Sequence, residues 1–213
     1  MSGEPKTPVA VLVSGRGSNA MALIGAAADP AYPARICAVL SDTADAAALA
    51  KAAAMDVPAQ AVPRKDFASR DAFEEALSEA ITASGAQVVC LAGFMRILSG
   101  RFVARWDGRI LNIHPSLLPA FTGLHTHARA LQTGVKIHGA TVHVVTAALD
   151  DGPIIAQAAV PVHPGDTADS LGARVLAAEH RLYPAALAHY LAKAVGKAPQ
   201  TTMFNPDLSP PTA

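Results

Sequence analysis

The sequence predicts a single-domain α/β fold on a mostly parallel sheet, with an antiparallel portion in its second half. Three observations carry that prediction. Short β-branched runs alternate with Ala-rich stretches of helical length. Two later apolar runs, 140–145 and 154–160, are joined by a link too short for a helical crossover, so they pair antiparallel. Hydrophobic residues make up 51% of the 213 residues and charged residues 16%, which suits one sizeable core and excludes general disorder.

Taken in order, residues 9–13 read as the first strand and 18–28 as the helix after it. Residues 36–40 form a second strand, 44–54 a helix, and 60–62 a short third strand. Ser69 is a candidate N-cap for a helix in which Phe73, Leu77 and Ile81 recur at four-residue intervals. Residues 88–92 and 109–113 are the fourth and fifth strands. A long helix starts near 167 and runs to about 194, kinked at Pro184. Residues 1–7 read as a flexible arm, 8–196 as one domain, and 197–213 as a Pro-rich tail that is disordered or straps the surface.

Composition narrows the class. Lys plus Arg and Asp plus Glu are 17 each, so no whole-molecule charge draws the chain to nucleic acid or an acidic membrane. Cys37 and Cys90 lie in apolar runs and read as small core residues of a reducing compartment. The start, MSGEPKTP, lacks a secretory apolar stretch, and no window approaches the roughly 18 apolar residues of a membrane span. A soluble, cytoplasmic protein is expected.

Ser14-Gly15-Arg16-Gly17-Ser18-Asn19 follows the first strand and opens the first helix. Glycine lets the backbone turn tightly, and the free N–H groups of a helix start favour an anion. Phosphate binding is the natural reading, against a purely structural turn. Gly15, Gly17 and Ala20 also fit G-x-G-x-x-A, with Asp42 at the end of the second strand, so a dinucleotide dehydrogenase stays open.

The most informative stretch is 110–119, ILNIHPSLLP. Strand side chains alternate, so Asn112 and His114 share a face, roughly 7 Å apart by strand rise. An unpaired buried amide and imidazole would cost ~1–3 kcal/mol each, so they are either hydrogen-bonded structural groups or a site at a strand's carboxyl end. The acidic turn Leu149-Asp150-Asp151-Gly152-Pro153 could supply a carboxylate that orients the histidine, but composition does not choose between Asp150 and Asp151. His114, His125 and His127 invite a zinc hypothesis, though no carboxylate follows at a familiar ligand spacing. His138 and His143 read as structural or supporting. Glu179 lies on the apolar stripe of Leu171, Val175 and Leu182, so Arg174 or Arg181 wraps round to it or it faces a ligand.

Six segments then occur in a fixed order: SGRGSN (14–19), LAGFMRILS (91–99), NIHPSLLP (112–119), GLHTH (123–127), HGATVH (138–143) and LDDGPI (149–154). Together they resemble the phosphoribosylglycinamide formyltransferase family, over about residues 9–194. The resemblance implies a Rossmann-like formyltransferase fold and transfer of a formyl group from 10-formyltetrahydrofolate, as co-substrate, to the amine of glycinamide ribonucleotide. It implies no metal, small-molecule partners only, and a monomer or homodimer. By position, Asn112, His114 and Asp150 match the family's catalytic trio, with His143 secondary. Gly17, Ser18 and Asn19 match its phosphate contacts, and Gly93 and Glu179 further ribonucleotide contacts, Glu179 at the ribose. Arg70 matches a basic contact in the folate cleft. Met95, Arg96, Ile97 and Leu98 match the folate-pocket wall, and the loop from Val145 to Asp150 the segment closing over the pterin ring. Arg16 in the Gly-rich turn and the additional Asp151 depart from the pattern. Related formyltransferases that act on methionyl-tRNA or hydrolyse the folate carry a further domain, for which this chain has no room.

Overall fold

The computed structural model describes residues 5–194. In chain order these form β1 (Thr7–Val13), α1 (Ser18–Ala27), β2 (Ala34–Ser41), α2 (Ala47–Ala53), β3 (Ala59–Ala61) and α3 (Arg70–Ala83). There follow β4 (Val88–Leu91), α4 (Gly100–Arg105), β5 (Ile110–His114), α5 (Thr126–Thr133), β6 (Ile137–Val144), β7 (Ile154–Pro161) and α6 (Ala168–Ala194). The expected tail, 197–213, lies outside the described residues. The expected arm needs correction at its inner end. Thr7 is already in β1, and the Lys6 ammonium donates to the carbonyls of Ala27 and Asp29 at 2.9 and 2.6 Å. A lysine at a helix C-terminus meets carbonyls that have no partner within the helix.

The sheet order is β3-β2-β1-β4-β5-β6-β7. The pairings through β5 are parallel; β6–β7 is antiparallel, as the short link after residue 145 requires, and β5–β6 is antiparallel as well. The chain leaves β1 toward β2 and β3, then returns to lay β4 on the other side of β1. That reversal is a topological switch point, where ligands meet open α/β sheets beyond the strands' carboxyl ends.

Alternation along the strands divides the core. Val9, Val11, Val13, Leu111 and Ile113 pack with α1 and α6 on one face, and Ala10, Leu12 and Ile110 with α3 and α4 on the other. Asn112 and His114 continue the Ile110 face past the end of the α3–α4 layer. Ser69 caps α3 as expected, its Oγ accepting from Ala72 N at 3.1 Å. The sequence reading omits α4 and α5, whose six and eight residues are shorter than the window in which helical periodicity shows. Among the described residues no helix is long and apolar enough to cross a membrane.

Tyr183 of α6 ties the two site-bearing strands together. It is fully buried, and its Oη lies 3.1 Å from Leu91 O and 3.0 Å from Leu111 O. Burial pushes its hydroxyl pKa well up, so it stays a donor. Tyr183→Phe leaves those carbonyls without it, and is expected to cost ~1–3 kcal/mol in a urea melt while leaving the fold intact.

Candidate active site

The Gly-rich turn is shaped by close packing. Gly17 sits at the N-cap of α1 with φ +68°, and a Cβ there would lie 2.4 Å from Ala48 Cβ. Only glycine meets both demands. The turn is held from outside by Ala48 N donating to Gly15 O at 3.1 Å and by Lys51 Nζ donating to Arg16 O at 3.0 Å. No side chain caps α1, so its first N–H groups, at Ser18 and Asn19, are available to an anion.

Asn19 joins this turn to α6. Its Nδ2 donates to Glu179 Oε2 at 2.7 Å, and both residues are buried. Of the two arginines weighed for Glu179, Arg174 forks instead onto Asp166, at 2.8 and 2.9 Å. Burial raises the Glu179 carboxyl pKa, against a smaller lowering by the Asn19 hydrogen bond. A carboxyl raised in the folded state binds its proton more tightly there, so this group favours folding when protonated. That contribution is lost as pH rises through the folded value. Glu179→Gln is therefore expected to melt higher than the parent at neutral pH, by roughly 2–4 °C per kcal/mol of charge burial removed. The two should converge at about pH 3, well below the ordinary glutamate value, where the parent carboxyl is protonated in both states.

At the switch point the loop after β4 closes on the loop after β1. Ser14 N donates to Gly93 O at 3.1 Å, and Met95 N donates to Ser14 Oγ at 2.8 Å. Gly93 has φ +77°, and a Cβ there would meet open space. Beyond it, Met95 and Ile97 are exposed apolar side chains, whereas Leu98 is buried in the α3–α4 core. Val145 packs against the same core and donates its N–H to Ile110 O at 2.8 Å.

Two buried carboxylates brace this segment. Asp42 Oδ2 accepts from Arg96 Nε at 2.6 Å. The dinucleotide reading is corrected at this residue, because Asp42 is buried and engaged by protein rather than open to a ribose. Glu74 accepts from Arg70 Nε at 2.9 Å, from Ser99 N at 2.8 Å and from Ser99 Oγ. Arg70 also donates to Ile97 O at 2.6 Å. Sequence reasoning missed Glu74. Its signal was present, since Glu74 precedes Leu77 by three and so falls on the apolar stripe of α3, as Glu179 does on that of α6.

His114, at the last position of β5, is buried with acceptors on both sides of its ring. Nε2 lies 3.0 Å from Phe121 O, and Nδ1 lies 3.5 Å from Asp150 Oδ2. A carbonyl and a carboxylate both only accept, so both ring nitrogens face groups that an N–H would serve. Asn112 Nδ2 lies 3.2 Å from His143 Nε2, and His143 Nδ1 lies 3.0 Å from Val144 O. The Val144 carbonyl fixes the His143 proton on Nδ1, which makes Nε2 the acceptor and turns the Asn112 amide to present its NH₂. Burial lowers the His143 pKa more than its neighbours raise it. Its 4.0 Å approach to Asp150 Oδ1 is therefore a neutral contact rather than an ion pair.

The acidic turn is resolved by its backbone. Asp150 has φ +53°, its carboxylate is 6% exposed, and Oδ2 accepts from Gly123 N at 2.8 Å. Asp151 is exposed. The tertiary structure thus brings Asp150, not Asp151, to His114.

A second histidine pair lies behind. His127 Nδ1 is 3.2 Å from His138 Nε2, and burial pushes His138 down to about 4 and lowers His127 as well. His125, in the zinc hypothesis, stands exposed at the start of α5 with φ +56°. Among the described residues no three His, Cys, Asp or Glu side chains gather as a metal-holding group. A cavity of about 350 Å³ between α3 and α4 is walled by Arg101, Arg105 and Glu75, both arginines pairing with Glu75.

Comparison with known proteins points the same way. The formyl transferase family profile matches residues 7–187. The phosphoribosylglycinamide formyltransferase of Escherichia coli K12 is 47% identical over 176 residues, 83% of each chain. The human trifunctional purine biosynthetic protein adenosine-3 is 48% identical over 182 residues, 85% of this chain and 18% of that one. The chain thus spans less than a fifth of the trifunctional relatives it matches. Among solved structures, the phosphoribosylglycinamide formyltransferase of Brucella melitensis superposes with a TM-score of 0.85 at 57% identity, covering 88% of this chain and 97% of that one. The glycinamide ribonucleotide transformylase 1 of Symbiobacterium toebii does so with a TM-score of 0.86 at 44% identity, covering 95% and 98%.

Proposed function

The chain belongs to the formyl transferase family, and from that premise we propose that it moves a formyl group from 10-formyltetrahydrofolate to the amine of N1-(5-phospho-D-ribosyl)glycinamide. The products are the formylglycinamide ribonucleotide and tetrahydrofolate, a step of de novo purine synthesis. The observation that carries the reading is the convergence of Asn112, His114 and Asp150 at the carboxyl end of β5, beside a switch point with an uncapped helix start.

In this reading the ribonucleotide phosphate takes the N–H groups of Gly17, Ser18 and Asn19, with Glu179 toward the ribose and Gly93 beside it. The folate lies along Met95–Leu98, with Arg70 and the 145–150 loop at its edges. The nucleophile is the substrate's own amine, so no Ser or Cys is required. Attack forms the new C–N bond and an oxyanion on the formyl carbon. The second N–H of Asn112 and the His114 Nε2–H donate to that oxygen, which takes the place held by the Phe121 carbonyl. Asp150 keeps Nδ1 protonated and the ring aimed. Collapse breaks the bond to the folate nitrogen, and the proton lost by the attacking amine reaches that nitrogen through Asp150 or a water it binds. Alignment of two bound substrates supplies much of the remaining acceleration.

A spectroscopic assay of tetrahydrofolate release, with and without glycinamide ribonucleotide, tests this. Release that requires the ribonucleotide is expected. Release without it would favour a folate hydrolase, and saturable ribonucleotide binding without release would mean a binding protein.

A further inference from the structure

Asp42 is a residue the proposed chemistry does not use. It directly follows β2, its side chain is 1% exposed, and its carboxylate has two side-chain partners, Thr43 Oγ1 at 3.3 Å and Arg96 Nε at 2.6 Å. Arg96, by contrast, is half exposed, and its terminal NH₂ groups have no partner among the described residues. A guanidinium gripped at Nε by a buried carboxylate cannot sweep freely; its outer edge, with four N–H bonds in one plane, faces outward in a fixed orientation. Arg70 repeats the arrangement on the same 95–98 segment: Nε on Glu74, whose side chain is 7% exposed, and one NH₂ on Ile97 O. An exposed guanidinium does not need a buried partner for solubility, and burying a carboxylate is costly unless it is paired. The arrangement makes sense as pre-organisation of the outer N–H edge for a planar anion.

We propose that Asp42 is a positioning residue that holds the Arg96 guanidinium at the rim of the folate cleft, so that its free N–H edge meets a carboxylate of the co-substrate's glutamate tail. The inference rests on the formyl-transfer reading above. The tail is remote from the formyl group, so this contact strengthens binding of ground state and transition state alike and appears in KM rather than kcat.

The experiment compares wild-type protein, Asp42→Asn, Arg96→Gln and the double variant. Each is assayed on 10-formyltetrahydrofolate and on the analogue that lacks the glutamate, 10-formyltetrahydropteroate. Asp42→Asn is expected to raise KM for the glutamylated co-substrate about 5–10-fold with kcat within about twofold, as for loss of one charge-assisted contact. On the tail-less analogue its KM should match that of wild type. Because Asp42 acts only through Arg96, the double variant should be no worse than Arg96→Gln. Arg96→Gln leaves the buried Asp42 carboxylate unpaired, whereas Asp42→Asn and the double variant bury no unpaired charge, so these two answer the question even if Arg96→Gln folds poorly. An unchanged KM, an equal rise on the tail-less analogue, or additivity with Arg96→Gln would each overturn the proposal while wild-type turnover leaves the formyl-transfer reading standing. Absence of wild-type turnover on both co-substrates would overturn the two together.

Discussion

Asp150→Asn is expected to lower kcat by about 10²–10³-fold, the scale of losing one well-placed polar stabiliser of an oxyanion. The substitution isolates charge from shape. Asparagine tolerates the left-handed backbone at φ +53°, and its carbonyl oxygen can still accept from Gly123 N, so the loop keeps its course. What disappears is the negative charge 3.5 Å from His114 Nδ1, on the side of the ring away from the reacting oxygen. Asp150 makes no contact with Gly17–Asn19 or Glu179, so ribonucleotide affinity, measured by equilibrium titration, should remain within about twofold of wild type. Asp151 is exposed, and Asp151→Asn should change kcat by no more than about twofold. A large loss in Asp151→Asn with near-normal turnover in Asp150→Asn would reverse the two assignments.

Gly152→Ala should be nearly as damaging, for a reason that lies in packing rather than charge. A Cβ at position 152 would stand 1.7 Å from Val144 O and 2.9 Å from Val144 C. Both atoms belong to the end of β6, which is held in place by Val144 N donating to Pro153 O at 2.9 Å. A strand end cannot yield as a flexible side chain could, so the loop has to shift, and Asp150 shifts with it. The expected result is a loss of about 1–3 kcal/mol in stability and a fall in kcat of at least about tenfold. Because both substitutions act on the same Asp150–His114 contact, the double variant should lose much less than the product of the single losses. Full additivity in kcat would show that Gly152 matters for some other reason.

Much of this architecture was legible in the sequence. The parallel-then-antiparallel sheet followed from the spacing of the apolar runs, and the α3 cap from Ser69 and a clean four-residue repeat. The Gly-rich turn and the polar end of β5 stood out because glycine pairs and buried polar residues are locally unusual. Glu179 was flagged by its place on an apolar stripe, with an arginine of its own helix or a ligand as the alternatives; its protein partner Asn19 reaches it from 160 positions away, where no local rule points.

Which residue types gather at the carboxyl end of the sheet follows from local patterning, because strand alternation and helix periodicity are rules that a short segment obeys without its neighbours. Long-range folding was needed to settle which of two adjacent aspartates meets the histidine, which way the Asn112 amide points, and that Asp42 grips an arginine rather than a ribose. Those outcomes depend on a positive φ in one loop, a proton placed by a carbonyl on another strand, and a charge pair spanning 54 positions. Hydrogen bonds and ion pairs act over a few ångströms, so they select among groups that only the folded chain brings within reach.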